Sequence, residues 1–169
     1  MTAPVEVGTL GADLIAAATA RGRTIATAES LTGGLLGATI TAVPGASLVY
    51  RGGLITYATD LKHTLGGVPA ATLDTAGAVS APTVEALARH TAQVCGATIG
   101  LSLSGVAGPD PQEGYPAGTV WLGWSDAAGA GSELLTLSGD RAAIRAAAVT
   151  AALHRAYALV TAPGPGGRE

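Results

Sequence analysis

Apolar residues at Val7, Leu10, Leu14, Ile15 and Ala18 recur at helical spacing and predict an amphipathic helix over residues 5–20. A strand is expected at 23–28, followed by a helix of about three turns that stops near Val43-Pro44-Gly45, where proline and glycine end it. Residues 47–57 (SLVYRGGLITY) are β-branched and aromatic, and predict a strand in which Gly52-Gly53 marks a bulge or a close backbone approach. Short helices follow at 59–65 and 70–75, each ended by glycine. Ser80-Ala81-Pro82-Thr83 with Glu85 opens a longer helix over 81–95, with proline early in its first turn. Residues 98–104 (TIGLSLS) alternate as a strand, and Gly105 to Pro111 (GVAGPDP) can only be a loop. Strands at 118–125 and 132–138 predict a hairpin joined through Ala-Gly repeats. The last helix is expected from Asp140 to about Val160, before a frayed APGPGGRE tail. This order predicts an α/β three-layer α/β/α sandwich with a mixed, mostly parallel central sheet. We expect a single domain over 1–161 and a flexible tail over 162–169.

Composition narrows the picture. The apolar share of 48% comes from aliphatic residues, with no phenylalanine, so the core must be aliphatic and closely spaced. A formal charge of -3 offers no basic surface for phosphates, which disfavours nucleic acid as a partner. No stretch approaches the roughly 20 apolar residues that span a bilayer, and no basic leader precedes an apolar core, so a cytoplasmic protein away from membranes is expected. Alanine-rich helix faces suit a homo-oligomer as well as a buried core. Cys95 is the single cysteine; it makes no internal disulfide and reads as a small buried hydrophobe.

Candidate chemistry gathers at strand ends. AESLTGG (28–34) lies where a strand hands over to a helix, the place where ligands collect in open α/β sheets. Ser30 would stand at the mouth of the crevice, with Gly33 and Gly34 letting the backbone approach a ligand; Ser30 or Thr32 would equally serve as a helix cap. A serine hydroxyl needs a base. None of the three histidines suggests a Ser-His-Asp arrangement. Lys62, the single lysine beside eight arginines, is the alternative: a buried amine loses hydration, its pKa falls, and its neutral form accepts a proton. Tyr57 precedes it by five residues at a strand end, from which its hydroxyl could orient a proton or simply cover the core. Ser104 and Gly105 begin a second handover rich in small residues. Arg141 opens the last helix, with Arg145 one turn further on; arginines so spaced fork a phosphate or carboxylate, or pair with Asp140. No P-loop, GxGxxG or metal-ligand cluster is present, so no metal or cofactor is implied.

Taken together, the blocks TAESLTGG, VPGAS, YRGGLITYATDLK, GGVPAATL, GAVSAPTV, LSGVAGPD, GTVWLG and SGDRAAIR resemble the CinA C-terminal domain family, which includes stand-alone nicotinamide-nucleotide amidohydrolases. The resemblance covers roughly residues 5–160. It implies a CinA-like, anticodon-binding-domain-like fold and hydrolysis of the carboxamide of nicotinamide mononucleotide to the nicotinate nucleotide and ammonia. Ser30 is then the nucleophile and Lys62 its base, with Tyr57 nearby. Backbone amides from Thr32 to Gly34 would steady the oxyanion, Thr32 and Ser104 would bind substrate, and Arg141 and Arg145 would hold the 5′-phosphate. The chain departs from the family at Leu31, where cysteine is common, at Ala58 to Leu61, which stand for Ser-Asn-Glu-Ala, and at Tyr115-Pro116, where Lys-Pro is usual. A non-catalytic nucleotide-binding protein of competence or DNA-damage responses, and an amidase for another small carboxamide, remain open on these residues.

Overall fold

The computed structural model describes residues 4–163. In chain order the elements are α1 (Pro4–Ala20), β1 (Ile25–Glu29), α2 (Leu35–Thr41), β2 (Tyr50–Ile55), α3 (Thr59–Thr64), α4 (Ala70–Ala76), α5 (Ala81–Cys95), β3 (Ile99–Gly105), β4 (Thr119–Asp126), β5 (Gly129–Thr136) and α6 (Arg141–Thr161). The five strands form one sheet in the order β2-β1-β3-β4-β5. Pairs β2–β1 and β1–β3 are parallel, whereas β3–β4 and β4–β5 are antiparallel. Only β4 therefore runs against the rest, which is the mixed, mostly parallel sheet expected.

The alternation within β3 decides how the layers stack. Ile99, Leu101 and Leu103 enter a large aliphatic core with Leu14, Leu36, Ile144 and Leu153 of α1, α2 and α6. The intervening Gly100, Ser102 and Ser104 face α5. There a Cβ on Gly100 would run into the Ala88 carbonyl, and one on Gly123 of β4 would sit 2.5 Å from the Val84 carbonyl oxygen. Ser102 Oγ donates to the same Val84 oxygen at 2.6 Å. One face is thus thick and aliphatic, while on the other α5 rests almost directly on backbone. β1 and β3, covered on both sides, are buried along nearly their whole length, as central strands of such a sandwich must be.

Several boundaries differ from expectation for local reasons. Gly33 and Gly34 have φ of 58° and 100°, so the chain turns through them and α2 starts only at Leu35, giving 7 residues instead of about three turns. The first part of the expected 47–57 strand is a 3₁₀ turn, Ala46–Leu48. The bulge falls beside the glycine pair: the register steps between Ile25 and Ala26, which face Tyr50 and Gly52 and skip Arg51. The Ala-Gly repeats do not join the hairpin but begin β5; Ala127 and Ala128 make the turn, and the Ala128 amide donates to Asp126 Oδ1 at 2.9 Å. Cys95 is half-buried rather than buried, at the C-terminal end of α5. The expected tail falls mostly on residues 164–169, outside the described residues.

Candidate active site

β1 ends at Glu29, and the next residue, Ser30, leaves the sheet beside β3: its amide donates to the Leu103 carbonyl at 2.9 Å. Across the same strand end, the Thr56 amide donates to the Glu29 carbonyl at 2.9 Å, so the segment leading from β2 into α3 is pinned next to Ser30. This brings Lys62, on the inner side of α3, to the serine. Its Nζ donates to Ser30 Oγ at 3.0 Å and to the Thr56 carbonyl at 2.9 Å. Lys62 is 2% exposed and Ser30 is 8% exposed. Burial pushes the amine below its ordinary value because the charged form loses hydration, and the negative charge of Glu113 opposes that fall.

Glu113 comes from the loop after β3. Its carboxylate accepts from the amides of Ala78 and Val79 at 3.2 Å each, and so ties that loop to the start of α5. Glu113 has a φ of 51°, a conformation unusual for a residue with a side chain. Between this loop and the α3 segment lies a cleft of about 680 Å³, whose walls include Ser30, Leu31, Tyr57, Gly105, Asp110 and Arg141. Such a volume falls within the usual range of small-molecule sites.

The sequence-predicted residues divide by what they do here. Ser30 and Lys62 form the buried pair. Tyr57 and Gly105 line the cleft, as does Arg141, which donates to the Gly108 carbonyl at 2.8 Å and to the Tyr57 hydroxyl at 3.0 Å. Tyr57 is exposed, so it stands at the rim rather than covering the core, and its partner is Arg141 and not Lys62. Arg145 is turned to the backbone: it donates to the Leu31 carbonyl at 3.0 Å and to the Thr32 carbonyl at 2.9 Å, bracing the serine turn from α6. Thr32 is fully buried with its hydroxyl unpartnered among the described residues, so its side chain does not reach the cleft. Ser104 is buried on the α5 face and donates to the Ala78 carbonyl at 2.7 Å, a structural commitment. The Gly33 amide donates to the Ser30 carbonyl at 3.0 Å and the Gly34 amide to Glu29 Oε2 at 3.0 Å, which removes both from the oxyanion role expected of them.

Sequence reasoning missed Glu29 and Glu113. For Glu29 a signal existed: an acidic residue directly ahead of a glycine turn and a helix start, where backbone N–H groups attract negative charge. Glu113 lies in a loop with no periodicity, and only the folded chain brings it to α5.

The molecule is thus an α/β sandwich carrying a buried serine–amine pair at the carboxyl end of a central parallel strand, the class of site in which an alcohol can be activated for attack. The model of the CinA C-terminal domain matches residues 8–160, and the chain belongs to that family. It is 47% identical over 133 residues to a CinA-like protein of Frankia casuarinae, a match covering 79% of this chain and 31% of that protein. The chain spans about a third of the length of the curated relatives it matches. Among solved structures, a competence-damaged protein (CinA) superfamily protein of Klebsiella pneumoniae superposes with a TM-score of 0.88 at 33% identity, covering 91% of this chain and 97% of that one. A competence/damage inducible protein of Agrobacterium tumefaciens gives 0.87 at 33% identity, covering 90% and 94%. Among the described residues no helix is long and apolar enough to cross a membrane.

Proposed function

We propose that this domain hydrolyses the carboxamide of nicotinamide mononucleotide, giving nicotinate mononucleotide and ammonia. The observation that carries this reading is the 3.0 Å contact between Lys62 Nζ and Ser30 Oγ, buried at the edge of a nucleotide-sized cleft. The Thr56 carbonyl can only accept, so it keeps one N–H of the amine and leaves the lone pair of the neutral form to Ser30. Ser30 Oγ attacks the amide carbon while Lys62 takes its proton; the C–N bond then breaks as that proton passes to the departing ammonia. Water, deprotonated by the same amine, cleaves the acyl-serine and releases the acid. Arg141 at the cleft lip is the cation available to a 5′-phosphate.

The test is ammonia release from nicotinamide mononucleotide by the purified protein. The wild type is expected to turn over, with Ser30→Ala and Lys62→Ala each losing on the order of a thousandfold or more in kcat. Activity persisting in Ser30→Ala would remove the covalent mechanism. Nucleotide binding without ammonia release would replace the enzyme by a nucleotide-binding regulatory domain, and turnover of other carboxamides alone would redirect it to a different amidase.

A further inference from the structure

Glu29 is 1% exposed, and among the described residues it is the one buried carboxylate. Its Oε2 accepts from the amides of Gly34 and Leu36 at 3.0 Å each, and its Oε1 from the amide of Gly37 at 2.8 Å. These are first-turn donors of α2, which would otherwise lack partners at the helix end. Gly37 keeps the space beside the carboxylate open for Tyr50, since a Cβ there would stand 2.7 Å from the Tyr50 hydroxyl. A buried charge-bearing group is costly unless it is well paired, so three amides converging on one side chain fix the backbone on both sides of Ser30.

The rest of the turn shares that logic. Arg145 holds the carbonyls of Leu31 and Thr32 from the α6 side. In a planar trans peptide the C=O and the following N–H point in opposite directions, so the Thr32 amide is aimed away from Arg145. With Gly33 donating to Ser30 and Gly34 to Glu29, the Leu31 and Thr32 amides are the donors of the 31–34 turn that keep no partner among the described residues. One of them belongs to the residue directly after the nucleophile, where oxyanion donors recur in serine hydrolases.

We propose that Glu29 is a positioning residue for the chemistry of Ser30: by taking the Gly34, Leu36 and Gly37 amides it locks the serine turn so that the Leu31 and Thr32 amides receive the oxyanion. The inference rests on the hydrolytic reading of the Ser30–Lys62 pair, and its test separates the two. The probe is 3-pyridylboronic acid, a mimic of the attacked carboxamide. Ser30 Oγ bonds to boron, its proton passes to Lys62, no bond to boron breaks, and the tetrahedral adduct carries the negative charge that the two amides would meet.

In Glu29→Gln, which keeps the shape but cannot accept all three N–H groups, boronate affinity and kcat are each expected to fall about a hundredfold, the scale of a small misplacement at a reacting centre. KM for nicotinamide mononucleotide should stay within about threefold, because ground-state contacts are untouched. A merely structural cap would lower thermal stability and leave boronate affinity at the wild-type level; that result overturns the proposal. If Glu29→Gln does not fold, Glu29→Asp keeps the carboxylate at shorter reach and should show a smaller loss in the same two quantities, whereas wild-type values in it would overturn the proposal. A wild type that forms the boronate adduct but releases no ammonia removes the deamidase and leaves the boronate ratio to decide on Glu29. A wild type with no adduct on Ser30 by boron NMR overturns the positioning role of Glu29, and ammonia release then decides on the deamidase alone.

Discussion

Lys62 sits between two opposed influences, desolvation that favours its neutral form and the Glu113 carboxylate that favours its charged one. In the proposed mechanism turnover requires the neutral amine, so activity should rise with pH through the lowered value of Lys62. Removing the charge in Glu113→Gln leaves desolvation unopposed and lets that value fall further. The acid limb of kcat/KM in this variant is therefore expected to move to lower pH, measured as ammonia release across a pH series; a limb that stays put or moves upward contradicts the coupling. At this scale the sequence was informative where a residue type is rare. The single lysine, set against eight arginines, pointed to the side chain that the fold brings against Ser30, and Ser30 itself followed from a glycine turn at a strand end. It was silent where function depends on which way a side chain turns. Ser104, Thr32 and Arg145 have suitable chemistry, yet the first two are sealed inside and the third braces backbone, outcomes set by packing from elements far along the chain.

Strand and helix types were readable because their periods are strong: β3 writes large and small residues alternately, and the small side is where α5 settles. What misled was the punctuation. Glycines at 33 and 34 belong to the turn and shorten α2, while glycines at 129 and 131 lie inside β5, so the same residue type ended one element and opened another. The α5 contact gives a direct test. Gly100→Ala puts a methyl group against the Ala88 carbonyl, and overpacking of this kind costs about 1–3 kcal/mol. For a chain of this size that corresponds to a fall in melting temperature of roughly 2–12 °C. Calorimetry should register it; an unchanged melting temperature would mean that the helix yields.

For the molecule as a whole, stability is concentrated on the aliphatic face formed by α1, α2, α6 and the sheet. Leu153, fully buried on α6, should cost about 2–5 kcal/mol when truncated to alanine. The ion pair of Arg155 with Glu133, close at 2.7 Å but on the surface, should contribute less than about 1 kcal/mol, so Glu133→Ala is expected to be nearly neutral. Urea titrations of the two variants check the contrast, and equal losses would contradict it. The overall sandwich was foreseeable because buried strands and amphipathic helices constrain each other; the cleft was foreseeable only in part, through Ser30, Tyr57, Gly105 and Arg141, because the loop from Asp110 to Gln112 that completes its wall has no periodicity to read.

The bare seam between α5 and the sheet carries a mechanical consequence. A helix resting on backbone, with glycine beneath it and Ser102 bonded to the Val84 carbonyl, cannot slide by even a fraction of a turn without steric collision. That layer is the stiff chassis of the molecule. For the proposed hydrolysis, admission of a ligand and departure of product would consequently fall to the two margins that meet where Tyr57 clasps Arg141, one approaching from β2 and the other riding on α6.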